Sequence, residues 1–202
     1  MLLKLRYSPA SPFVRKVLAF AQEAGLGERI ELVRTDVWAL DTDIHRDNPL
    51  GKIPALITGD GTFIGSLLCC EYLDSLHGGR PLIPTAPSAR WPVLQLHALG
   101  DGIMEAAVAR VVEAVRRPKE FVYQGNLDRQ EAKLRHALDA IEGPAAALGG
   151  RVDIATITLA CALAYLDFRL PQIDWRRGRP MATRWHADFA ARPSMMATEP
   201  RL

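Results

Sequence analysis

Apolar positions in the first third of the chain come in short runs separated by amphipathic stretches. Leu2 to Tyr7 reads as a compact strand, followed by a turn at Ser8-Pro9-Ala10. Ser11-Pro12 then places a serine at an N-cap and a proline at the first helical position, where its missing amide has no partner to lose. Val14, Val17, Leu18 and Ala21 recur at i, i+3, i+4 and i+7 and predict one buried stripe. Arg15, Lys16, Gln22 and Glu23 then face out, and Gly25 ends the helix. Ile30 to Arg34 is a second strand, so the chain opens on a βαβ unit whose strands run parallel.

Trp38 to Asn48 carries no clear period and predicts irregular or weakly helical chain. The runs Ile53 to Ile57 and Thr62 to Ile64 flank Gly59-Asp60-Gly61 and predict a hairpin. Ser66 caps a helix through Leu76, and the proline-rich stretch from Gly78 to Pro87 reads as a linker. Beyond it the period is helical throughout. One long helix runs from Arg90 to Arg117, and Asn126 caps a second that buries Leu134, Leu138 and Ile141. Asp153 opens an almost wholly apolar third helix that Pro171 terminates, the pattern of a bundle's central member. Met181, Trp185 and Phe189 mark a last amphipathic helix. The expected organisation is a small α/β domain at 1–77, a linker at 78–89 and an all-α domain at 90–202.

Composition narrows the function classes. A hydrophobic content of 49% with 24% charged residues suits a chain of 202 residues with a true core and excludes disorder. A net charge of +2 gives no bulk electrostatic case for nucleic acid or an anionic membrane. The longest apolar run, Ile154 to Leu166, is too short to span a bilayer. Cys69, Cys70 and Cys161 cannot form a disulfide framework, which suits a reducing, cytoplasmic setting. The five histidines lack ligand spacing, so no metal site is expected.

Four stretches carry chemistry together. Tyr7-Ser8-Pro9-Ala10-Ser11-Pro12-Phe13-Val14-Arg15-Lys16-Val17 resembles the first loop and helix of serine-type glutathione S-transferases, and Asn48-Pro49-Leu50-Gly51-Lys52-Ile53-Pro54-Ala55-Leu56 resembles their glutathione-binding segment. Ser66 with Cys70-Glu71-Tyr72-Leu73 is similar to their third helix, and Leu159 to Arg169 to the core helix of the bacterial branch. The resemblance implies a thioredoxin-like βαβ-ββα domain followed by an all-α bundle. It also implies a homodimer, glutathione as co-substrate, and a small hydrophobic electrophile as the second substrate. The alternatives are a non-catalytic protein-binding module of the stringent-starvation type and a glutathione-dependent peroxidase or reductase.

In the resemblance Ser11 is the catalytic position, with Ser8 and Tyr7 as rivals. A thiol of ordinary pKa, ~8.5, is only a few per cent ionised at neutral pH, and lowering it by about two units takes roughly 2.7 kcal/mol. One hydrogen bond to a charged group supplies ~1.5–3 kcal/mol, and a helix N-terminus adds ~0.3–1. A serine hydroxyl at a helix start therefore suffices without an ionised base. Taken alone, Ser11 is also an ordinary N-cap worth about 1 kcal/mol.

The resemblance further implies a cis Ile53-Pro54 peptide, with the Ile53 backbone pairing with the cysteinyl part of glutathione. It makes Lys52 a partner for the glycyl carboxylate, and Ser66 at a helix start a site for the γ-glutamyl carboxylate. Gly65 departs from the family, which places an acid there against the γ-glutamyl amine; Asp101, sent from the partner subunit, is the candidate substitute. Phe13, Met104 and Val108 are candidates for the electrophile pocket, although a helical stripe of this kind is more often plain core. Asp153 and Thr156 stand in exchanged roles relative to the family's capping box, which is a stability device. The cysteines are expected to be packed helix residues with no part in the chemistry.

Overall fold

The computed structural model describes residues 3–201; Leu2, placed by the pattern in the first strand, lies outside the described residues. The chain divides into two compact units: residues up to Ala86 together with those from Pro193 onward, and Pro87–Arg192.

The first unit contains β1 (Leu3–Tyr7), α1 (Pro12–Glu23), β2 (Ile30–Arg34), β3 (Ala55–Thr58), β4 (Gly61–Ile64) and α2 (Ser66–Asp74). The sheet order is β2-β1-β3-β4, with β1 and β2 parallel and the other pairs antiparallel. This is the mixed four-stranded sheet of a thioredoxin-like domain. Leu3, Leu5, Ala55 and Leu56 of the sheet are buried, as are Val14, Val17, Phe20 and Leu73 of the helices. Arg6 pins the loop that returns from β2. Its guanidinium donates to both oxygens of Asp43 at 2.9 and 3.0 Å and to Asp47 at 2.7 Å, and these bonds, Asp43's first, raise its pKa. Between the two acids a single 3₁₀ turn, Ile44–Arg46, buries Ile44.

The periodicity of α1 predicts Arg15 and Lys16 on an outer face, but they are 7% and 0% exposed. Lys16 lies close enough to Cys69 of α2 to act on its thiol, whereas for Arg15 the reason lies far along the chain. A further short helix after Arg192, Pro193–Ala197, packs on α1 within this unit, so α1 is covered on more than its apolar stripe. A five-residue helix is too short to show a period in the sequence.

The second unit contains α3 (Pro87–Arg116), α4 (Gln124–Ala145), α5 (Ile154–Arg169) and α6 (Pro180–Ala190); the short helix from Pro193 is α7. The apolar α5 is the central helix, buried along most of its length. Its N-terminus carries the exchanged capping box: Asp153 Oδ1 accepts from the Ala155 and Thr156 amides at 3.0 Å, and the Asp153 amide donates to Thr156 Oγ1 at 3.0 Å. Where α3 crosses α5, a Cβ on Gly100 would stand 3.0 Å from Thr158 Cγ2 and 3.2 Å from the Leu159 backbone nitrogen.

Several boundaries differ from the pattern. α3 begins at Pro87, three residues before Arg90, because a proline is well placed at a helix start. Asn126 does not cap α4, which starts at Gln124; its amide instead donates to Glu113 Oε2 at 3.1 Å. Ser66 is the first residue of α2 and Gly65 its cap, and α2 stops at Asp74, short of Leu76. Asp74 accepts the Leu82 and Ile83 amides at 2.9 and 3.0 Å, so the proline-rich stretch is anchored to that helix end. In α6, Trp185 and Phe189 are buried while Met181 is 49% exposed.

Candidate functional site

Strand register gathers the candidate residues of the first unit. Arg6 pairs with Ala55, and Ala55 with Ile64, so one row crosses three strands. Chain that follows β1, precedes β3 or follows β4 therefore leaves the sheet at the same edge. Those three stretches are Tyr7 to Ser11, Lys52 to Pro54, and Gly65 with Ser66. Two of them lead into helices, so α1 and α2 both begin at this edge. Helix N-termini carry partial positive charge and spare amides, which makes the edge suited to anions.

Ser11 is half-buried at the N-cap of α1, with φ −83° and ψ 121°. Its Oγ accepts the Val14 amide at 3.3 Å, and its own amide donates to the Ser8 carbonyl at 3.1 Å. A hydroxyl has two acceptor positions and one proton. The cap uses one acceptor position and fixes the oxygen, leaving the proton for a ligand. Ser8 and Tyr7 are also half-buried in this stretch, and the Tyr7 carbonyl accepts the Thr35 amide at 2.9 Å.

The Ile53-Pro54 peptide is cis, Pro54 is buried, Ile53 half-buried and Lys52 exposed. Asn48 shapes this stretch through its side-chain amide. It is 1% exposed, its Nδ2 donates to the Lys52 carbonyl at 2.6 Å, and its Oδ1 accepts the Leu50 amide at 3.0 Å. The signal lies in Asn-Pro-Leu-Gly, since Asn folds a side-chain turn onto the amide two residues on.

Gly65 has φ +83° and contributes no side chain to the cap of α2. A Cβ there would meet nothing within 4 Å, so the position has space but a left-handed backbone. Ser66 is 7% exposed at the head of the helix.

Asp101, Met104 and Val108 lie on α3 in the second unit, apart from these residues in the division of the chain. Asp101 Oδ1 is 3.9 Å from His97 Nε2, one turn earlier. Met104 is 0% exposed in the core of the helical unit, and Val108 is half-buried. Phe13 is half-buried on α1. Burial pushes the Cys69 thiol up to about 12, which removes it as a nucleophile near neutral pH; Cys70 and Cys161 are buried as well. Among the described residues no group of three or more His, Cys, Asp or Glu is gathered to hold a metal ion, and no helix is long and apolar enough to cross a membrane.

Comparison with known proteins places both units. A family model described as glutathione S-transferase, N-terminal domain, matches residues 5–81, and one described as glutathione S-transferase, C-terminal domain, matches residues 124–188. The uncharacterized GST-like protein YibF of Escherichia coli (strain K12) is 33% identical over 202 residues, covering 98% of each chain. Glutathione S-transferase 3 of Zea mays is 28% identical, over 97% of this chain and 92% of that one. A glutathione transferase family member from Pseudomonas fluorescens Pf-5, crystallised with bound glutathione, superposes with a TM-score of 0.95 at 43% identity, over 99% of this chain and 100% of that one. A glutathione S-transferase from Methylobacillus flagellatus, also with glutathione bound, gives 0.91 at 31% identity, over 98% and 100%.

Proposed function

The chain belongs to the glutathione S-transferase family, and on that premise we propose that it binds glutathione at the shared sheet edge and uses Ser11 to stabilise the thiolate for attack on a small hydrophobic electrophile. The observation that carries the reading is the convergence of two helix starts and the Ile53-Pro54 stretch on one row of the sheet. Glutathione presents a thiol and two carboxylates, and each finds a matching feature there. The Ser11 proton meets the sulfur at the positive end of α1. The γ-glutamyl carboxylate meets Ser66 and the uncapped amides of α2. The Ile53 backbone pairs with the cysteinyl unit as an added strand does, and exposed Lys52 meets the glycyl carboxylate.

The γ-glutamyl ammonium is the weak point. Gly65 offers it no acid, and the partner subunit's Asp101 supplies one in the homodimer this reading requires. The enzyme works as a cytoplasmic protein with no metal in the reaction. Thiolate attack forms the carbon–sulfur bond and expels the electrophile's leaving group, while the thiol proton has already gone to solvent.

Gly65 also favours the second reading, a protein-binding module that has lost glutathione. Calorimetric titration with glutathione, together with the thiolate absorbance of the bound ligand against pH, separates the two. The catalytic reading expects binding below millimolar concentration and a thiol pKa lowered from ~8.5. It expects Ser11→Ala to keep most of the affinity and to lose turnover at neutral pH by about 10–100-fold. No binding at millimolar glutathione favours the module.

A further inference from the structure

The chain from Pro193 onward is tied to α1 and its approach at three points. Ser194 Oγ donates to Glu23 at the far end of the helix. Arg15 Nη2 donates to the Met195 carbonyl at 3.0 Å. The Arg201 amide donates to the Pro9 carbonyl at 3.3 Å. Two of these bonds bracket Ser11. Pro9 lies two residues before it, and Arg15 is the residue whose own amide donates to the Ser11 carbonyl at 3.0 Å.

Arg15 is a costly way to hold a helix. It is 7% exposed, and its Nε and Nη1 have no hydrogen-bond partner among the described residues. A buried, incompletely bonded cation is commonly replaced by an apolar side chain of similar size without loss of stability. What an apolar residue cannot supply is the bond to Met195, which fixes the first turns of α1 against residues 193–201.

We infer that this segment positions Ser11, with Arg15 as the positioning residue and the Arg201 amide as the second anchor. The inference rests on Ser11 being the thiol's hydrogen-bond donor. With one acceptor position of Oγ taken by the cap, the remaining proton points where the first turn of α1 directs it. The other proposed glutathione contacts, Ile53 and Ser66, belong to different elements. Loosening the anchors therefore misdirects the donor and leaves the ligand's grip in place.

The test uses the full chain with glutathione as probe. Arg15→Met, Arg15→Lys, Arg201→Pro and Arg201→Ala are compared for glutathione Kd by calorimetry and for thiolate absorbance of the bound ligand against pH. Arg15→Met is expected to keep its melting temperature and a Kd within about twofold of wild type, while the thiolate fraction at neutral pH falls about three- to tenfold. Arg15→Lys retains a donor and recovers most of that fraction. Arg201→Pro lacks the amide and shifts the titration in the same direction; Arg201→Ala keeps the amide and most of the thiolate.

Unmoved titrations in both Arg15→Met and Arg201→Pro overturn the inference, as does a loss of Kd that accounts for the whole effect. Should Arg15→Met fail to fold, Arg201→Pro against Arg201→Ala decides alone. A wild type that binds no glutathione overturns the functional reading instead. A wild type that binds, with a shift in Ser11→Ala and none in the anchor variants, overturns only the positioning role.

Discussion

At Ser11 one oxygen has two uses: a lone pair accepts the Val14 amide, and the proton remains to be given. Aspartate separates them, because it caps a helix as well as serine does but has no proton to donate when ionised. Ser11→Asp is expected to melt at or above the wild-type temperature, since α1 has no acidic residue in its first turn. Its bound thiol should titrate at higher pH than in Ser11→Ala, because the carboxylate repels the thiolate. A Ser11→Asp protein with a wild-type thiol titration would reduce Ser11 to a helix cap. Gly65 poses the opposite choice. Its φ of +83° makes any side chain strained, by about 1–3 kcal/mol, although the space is open. Gly65→Glu should therefore lower the melting temperature while tightening glutathione, with the thiol titration unmoved. An unchanged Kd would show that the missing acid does not limit affinity. The cap at Ser11 and the glycine at 65 are visible in the sequence because both are local. Arg15 is not: its partner is 180 residues away, and nothing in the α1 pattern marks that face as covered.

Element starts show the same limit. The α4 and α6 N-termini have no side-chain cap of their own, and carboxylates from neighbouring helices take over. Glu142 of α4 accepts the Met181 and Ala182 amides of α6, both at 3.0 Å. Glu113 of α3 accepts the Tyr123 amide at 2.9 Å and also engages Asn126. The sequence around the start of α4 offers Asn126 as a capping side chain, whereas the proximity of Glu113 exists only after α3 and α4 have packed. The Asp153–Thr156 box of α5 is legible because both partners lie within one turn. Glu142→Ala is expected to cost about 1–2 kcal/mol in a urea titration, with a smaller loss for Glu142→Gln, which keeps one acceptor. A loss below about 0.3 kcal/mol would mean that water serves those amides equally well. Where α3 crosses α5, Gly100→Ala should destabilise by about 1–3 kcal/mol through overpacking against Thr158 and Leu159.

Over the whole molecule, acid stability draws on Asp43, held down by its bonds from Arg6 in the first unit, and on two carboxylates of the helical unit. Burial pushes the Asp167 carboxyl up, but bonds from Arg176 and Trp175 outweigh it and leave its pKa below 3.8. The Tyr123 amide, then Asn126 and Arg117, hold Glu113 below 4.5 against the effect of burial. All three native values are depressed, so their contribution is present above the unfolded-state pKa and is lost as pH falls through the folded-state one. Urea midpoints should hold above pH ~5 and decline below it. The decline should be shallower in Asp167→Asn and Glu113→Gln, whereas an equal slope in both variants would assign it to other groups. Sedimentation at working concentration should report a dimer, the assembly that the role proposed for the partner subunit's Asp101 requires.

The strand–helix rhythm made the order of elements legible, and contiguous motifs made most of the candidate site legible. Discontinuity was the part the sequence hid. The thioredoxin-like unit starts with the first strand but includes the chain from Pro193 onward. On the ribosome, the half that emerges first is the half that is finished last. The helical unit between the two pieces has all its residues before the first unit acquires α7, and until then the nascent α1 has Arg15 without its Met195 acceptor. A chimera that exchanges residues 1–86 between relatives transplants an incomplete unit; the graft has to carry 193–201 with it, and the natural crossover points are Ala86 and Arg192.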